Sequence, residues 1–116
     1  MRRLLASSAR RMKPTEAAWL AGLFDGEGSL VMDLRGTFAC VLCIVNTNMK
    51  ALKTARLFAG CGGIDVKRKA DAHHKPQWKW RVSRQRDVVL TLEQLLPYLV
   101  IKRQPVLQYL RAWKDV

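Results

Sequence analysis

The apolar positions of the chain change period several times, and each change marks an expected element. Between Thr15 and Gly28 the pattern is helical, with Leu20, Leu23 and Phe24 at i, i+3 and i+4 forming a core stripe. Ala18, Ala21, Gly22 and Asp25 form a second stripe of small residues and one acid. Thr15, next to Pro14, is the expected N-cap, and Gly26 and Gly28 punctuate the end. Ser29 to Leu34 and Phe38 to Asn46 read as two strands, joined as a hairpin by Arg35, Gly36 and Thr37. Asn48 is placed to cap a helix from Met49 to Ala59, ended by Gly60, Gly62 and Gly63. A two-residue period then returns. Ile64, Val66 and Arg68 alternate with Asp65, Lys67 and Lys69, and Trp78, Trp80 and Val82 alternate with Gln77, Lys79, Arg81 and Ser83. A helix from Asp87 to Leu96, burying Val88, Leu92, Leu95 and Leu96, stops at Pro97. A last helix is expected around Val106, Leu107, Leu110 and Trp113.

The element order is αββαββα plus a terminal helix, so an αββ unit occurs twice. That repetition predicts an α+β domain: one four-stranded antiparallel sheet with helices on a single face. At 116 residues there is room for one core and not two, and the single domain is expected to occupy 14–116. Residues 1–13 hold Arg, Ser and Ala but no acid, and read as a basic extension without fixed structure. Three readings of that segment stay open: an organellar transit peptide, a basic arm on nucleic acid, or sequence upstream of a start at Met12.

Charge narrows the range of partners. Twenty-one Lys and Arg against nine Asp and Glu give a net charge of +12. Solubility alone calls for about 2 to 8 in a small domain, so the excess points to a polyanion, with nucleic acid first. Between Lys67 and Arg86 the strand region carries eight basic residues against the single acid Asp71. No apolar run approaches the roughly 20 residues of a membrane-spanning helix, and no membrane partner is expected. Cys40 and Cys43 form a C-x-x-C, and His73 and His74 could complete a zinc set. Residues three apart on a strand point to opposite faces, which argues against zinc. The odd count of three cysteines suits a reducing compartment.

The chemistry-bearing residue is Glu27. A carboxylate just past the C-terminal end of a helix meets the negative end of the macrodipole, a cost of about 0.3 to 1 kcal/mol that a nearby cation would offset. A divalent ion with oxygen ligands is one such cation, and Mg2+ needs only one or two protein carboxylates when waters and substrate phosphates fill its shell.

The segment Leu20-Ala21-Gly22-Leu23-Phe24-Asp25-Gly26-Glu27-Gly28 resembles the signature of the LAGLIDADG homing endonucleases, departing from it at Phe24, Gly26 and Glu27. The αββαββα order from about Thr15 to Trp113 is similar to one half-domain of that family, whose sheet is saddle-shaped. The resemblance implies a Mg2+- or Mn2+-dependent DNA endonuclease that hydrolyses phosphodiesters on both strands. With one motif in the chain it implies a homodimer, joined through Ala18, Ala21, Gly22 and Asp25. Gly22 and Gly26 add a G-x-x-x-G on that helix. Metal would be held by Glu27 and the neighbouring Gly26, and Asp25 would serve packing rather than ligation.

Pro97 to Gln104 is also similar to a family segment whose lysine, here Lys102, lies near the active site. A polar residue at the end of the second strand completes the implied catalytic set. Asn46 is favoured over Thr47 and Asn48, the last of which can be a helix cap. The sheet would lie over the major groove of double-stranded DNA, with Lys67, Lys69, Lys79, Arg81, Arg35, Ser29 and Asp33 as contacts. The first hairpin is otherwise poor in hydrogen-bonding side chains. The rival reading, a non-catalytic DNA-binding regulator or a splicing factor (maturase) for intron RNA on the same fold, stays open. The expected setting is the cytoplasm or nucleoid of a bacterial or phage system, with an organelle as the alternative.

Overall fold

The computed structural model describes residues 8–36 and 38–115. Helix α1 (Pro14–Glu27) starts two residues earlier than a cap at Thr15 implies, with Lys13 at the cap. Pro14 fits the first position because its φ is preset and it lacks an N–H that would be unpaired there anyway. Glu16 closes the end by accepting from the Lys13 N–H at 3.0 Å. Ala17, Leu20, Ala21, Phe24 and Asp25 form the buried side of the helix.

Gly28 ends α1 and opens strand β1 (Gly28–Asp33) at once. A Cβ at that position would run into the Phe24 ring, so the abrupt helix-to-strand turn requires glycine. β1 pairs antiparallel with β2 (Ala39–Asn46), Val31 opposite Val41 and Gly28 opposite Ile44. In the connecting turn Asp33 accepts from the N–H groups of Arg35 (3.1 Å) and Gly36 (2.8 Å). The expected turn residue Thr37 lies outside the described residues. Phe38, expected to begin the second strand, instead has φ 51° and stacks on Tyr109 with ring centroids 5.9 Å apart. Its aromatic packing holds a left-handed backbone that bulky residues otherwise avoid.

Helix α2 (Met49–Ala59) has the expected bounds, with Asn48 accepting from Ala51 N–H at its start and Gly60 in the left-handed conformation, φ 76°, at its end. Strands β3 (Gly63–Arg68) and β4 (Gln77–Val82) complete a sheet of order β1-β2-β4-β3, antiparallel throughout. Helix α3 (Gln85–Leu95) passes into a 3-10 turn (Leu96–Tyr98) at Pro97, and α4 (Arg103–Lys114) is the last described element.

Cys40, Leu42, Ile44, Trp80 and Val82 point into the core with the buried sides of α1, α2 and α3. Helices cover this one face, and the other face of the sheet is open among the described residues. Tyr109, absent from the expected core of the last helix, is fully buried, and its hydroxyl donates to Gln85. Gln85 in turn bonds both the N–H and the C=O of Cys40, tying β2 to the helices.

Part of the expected loose extension is fastened to the domain. Ser8 and Ala9 donate their N–H groups to Asp87, and Arg10 donates its own to Ala59. Met12 donates to Gln94 at 2.6 Å and buries its side chain in the core. The remainder of the extension, residues 1–7, lies outside the described residues. No helix among the described residues is long and apolar enough to cross a membrane.

Candidate active site at the foot of α1

The last turn of α1 carries two acids of opposite fate. Asp25 is 9% exposed, and its carboxylate accepts from Val100 N–H at 2.7 Å and Lys102 N–H at 2.9 Å. Burial pushes its pKa up, but the N–H groups of Lys102, Val100 and Ile101 and the Lys102 charge outweigh that and hold it below the ordinary 3.8. These bonds pin the segment before α4 against α1. They also place the Lys102 ammonium, which donates to the Asp25 carbonyl at 2.7 Å and lies 5.8 Å above the Phe24 ring centroid. Lys102 therefore satisfies a carbonyl left unpaired at the helix end and brings a positive charge to the negative end of the dipole. The offset that Glu27 calls for comes in part from the chain itself.

Glu27 is exposed and has one neighbour of consequence: Asn46 Nδ2 donates to its Oε2 at 2.8 Å. The Asn46 amide is itself oriented, since its Oδ1 accepts from Asn48 N–H at 2.8 Å. Of the three polar residues at the end of the second strand, Asn46 thus reaches the acid and Asn48 caps α2. The structure brings Glu27, Asn46, Asp25 and Lys102 together at one end of α1. Among the described residues no three His, Cys, Asp or Glu side chains cluster, so one chain offers a single exposed carboxylate and no self-contained metal cage here. Hard cations that keep waters and bind phosphate suit such a sparse oxygen set; zinc does not.

The expected contact stripe needs correction. Ala21 is fully buried and Asp25 is occupied within the domain, so neither presents surface to a second copy. The outer row of α1 is Ala18, Gly22 and Gly26, all exposed. A Cβ at Gly22 or Gly26 would meet nothing within 4 Å. Val100 and Ile101, whose backbone N–H groups meet Asp25 of the same helix, are 80% and 71% exposed, and sequence reasoning missed them because they adjoin the buried Leu99 in one apolar run.

On the open face, Lys79 and Arg81 point outward from β4 as expected, paired with Val45 and Cys43 of β2. The expected alternation in β3 fails at its end. A bulge between Val66 and Arg68 takes Lys67 out of register and sets Arg68 opposite Gln77, on the outward side. Lys69 lies beyond the strand, and Asp33 spends carboxylate oxygen on its own turn. Ser29 is exposed on the open face, and Arg35 is exposed in the turn. Cys40 and Cys43 face opposite sides of β2, and burial, with Cys43 nearby, pushes the Cys40 thiol up to about 12.

An open four-stranded sheet backed by helices, with an acid at the foot of a helix whose outer row is glycine and alanine, is the architecture of a LAGLIDADG half-domain. No protein-family model matches the sequence. No curated protein matches it either. The likeness emerges in three dimensions. The homing endonuclease I-CvuI, in complex with its target in the presence of Ca, superposes with a TM-score of 0.66 at 26% identity, covering 84% of this chain and 65% of that one. The archaeal intron-encoded homing endonuclease I-Vdi141I complexed with DNA gives 0.61 at 15% identity, over 82% and 64%. The homing endonuclease I-TnaI gives 0.58 at 22% identity, over 88% and 71%. These structural neighbours are LAGLIDADG homing endonucleases, and this chain has their half-domain fold with a single motif. It spans about 65% of the length of I-CvuI.

Proposed function

We propose that the protein is a homodimeric, divalent-metal-dependent DNA endonuclease. The observation that carries this reading is Glu27, an exposed carboxylate oriented by Asn46 at the end of a helical row that no described residue covers. Two glycines in an exposed helical stretch cost about 1 kcal/mol each relative to alanine. No described neighbour within the domain requires them, so the favoured explanation is close approach by an equivalent helix around a two-fold axis. Val100 and Ile101 would extend that contact with apolar surface.

Pairing the rows would set two Glu27 carboxylates side by side, one from each copy. Glu27, with the Gly26 carbonyl beside it, would hold Mg2+ or Mn2+, which when bound supplies charge neutralisation at phosphate and acidifies water. Asn46 keeps the carboxylate aimed. Lys102 has spent one of its ammonium donors on Asp25, so two remain for negative charge developing on the phosphate. Asp25 positions Lys102 and touches no substrate. The outward cations Lys79, Arg81 and Arg68, with Lys67 at the bulge, would hold the duplex by its phosphates and guanine edges.

The test is nicking and linearisation of supercoiled DNA in Mg2+ or Mn2+, beside Glu27→Gln. Metal-dependent cleavage lost in the variant supports the reading. Tight duplex binding without cleavage by the unaltered protein would leave a DNA-binding regulator in its place.

A further inference from the structure

The open face of the sheet is divided. Gln77, Lys79 and Arg81 on β4, with Arg68 and a single acid, Asp65 opposite Lys79, on β3, make one half polar and net basic. The outward row of β2 is Ala39, Val41, Cys43 and Val45, and Val31 of β1, 66% exposed, pairs directly with Val41. Among the described residues, helices cover only the opposite face. The boundary is sharp, since Cys43 and Val45 pair across it with Arg81 and Lys79.

We infer that Val31, Val41, Cys43 and Val45 are specificity-determining residues, selecting duplex DNA with thymines in the segment that β1 and β2 cover. The inference rests on the endonuclease reading above. In the major groove every base edge shows hydrogen-bonding groups, and the only apolar group is the C5 methyl of thymine. A valine pressed on a guanine or cytosine edge removes water from polar atoms and returns no hydrogen bond, whereas against a thymine methyl it buries apolar surface. The spacing also fits. Alternate strand residues lie about 6.7 Å apart, close to two base-pair steps of about 6.8 Å. The occupant is a duplex rather than a second copy of the sheet, because stacking two such faces would bring Lys79, Arg81 and Arg68 of both copies together.

The experiment selects bound duplexes from a random-sequence pool, then replaces dT by dU in the selected site, which deletes the methyl and leaves the Watson–Crick and other hydrogen-bonding groups. Thymine enrichment is expected in one segment of each half-site. Binding should weaken about fourfold for each contacted methyl removed. The same exchange in the segment under β3 and β4 should change nothing. The double variant Val31→Ala/Val41→Ala, at solvent-facing positions, should lose sensitivity to dU. Duplexes selected without thymine enrichment, or indifferent to dU, overturn the inference while the endonuclease reading stands. So does a double variant that changes sedimentation but not DNA preference. A pool that yields no bound duplex overturns both.

Discussion

The inner and outer sides of α1 spend the same residue types in opposite ways. On the inner side, Asp25 is buried, accepts two backbone N–H groups and serves the fold. On the outer side, two residues further on, Glu27 is exposed and receives one side-chain donor. The glycines divide similarly: Gly28 is needed because Phe24 fills the space of its side chain, while Gly22 and Gly26 have open space that no described residue uses. A residue whose chemistry is met within the domain explains structure. One whose chemistry is left unmet points to what lies outside.

The largest expected effect breaks this contrast most directly. Glu27→Gln should reduce metal-dependent cleavage by at least about a hundredfold, since a metal site contributes several kcal/mol to the transition state. Thermal unfolding should be unchanged; a large fall in Tm would put Glu27 in the same class as Asp25. Asp25→Ala should do the reverse first, removing the acceptor for two part-buried N–H groups at about 2 to 4 kcal/mol. A drop in Tm of roughly 10 °C by calorimetry would register it. Cleavage per folded molecule should also fall, because Lys102 loses the anchor of its backbone.

Gly22→Leu tests the outer row. Sedimentation should show association weakened into the monomer range, with the monomer's own unfolding stable or slightly improved. If the variant remains as associated as the unaltered chain, the row is not the contact. The smallest effect is on pH. Asp25 has its pKa lowered in the fold, so its stabilisation is complete above about the ordinary 3.8 and is lost as pH falls through the lowered folded value. Acid unfolding followed by circular dichroism should therefore show a component below pH 3.8 that Asp25→Asn removes.

Much of the fold was legible because it depends on local periodicity. The α2 bounds, the first hairpin and the two-residue alternation of β4 follow from residue order alone. The bulge after Val66 was not legible, because a one-residue insertion in a strand leaves no mark in composition and yet moves Arg68 to the other face. Nor was the anchoring of residues 8–12, whose partners Asp87 and Gln94 lie about 80 positions away. Within the candidate site, Glu27 and Lys102 drew attention through their motifs, but the stripe through Ala18, Ala21, Gly22 and Asp25 mixed two surfaces. A helix drawn by periodicity has no intrinsic inside.

The order of residues by itself determined which side chains could share a face, where α1 must end, and that an acid stands beyond that end. Those are consequences of helix and strand period, of the missing Cβ at Gly28 and of the dipole. Only the tertiary structure decided that Asp25 turns inward to hold Lys102, that Asn46 rather than Thr47 reaches Glu27, and that the apolar and basic strands meet on one open face. Each of those depends on which distant segment packs against the helix or pairs with the strand, a choice made by burial of the whole core and not by any stretch of neighbours.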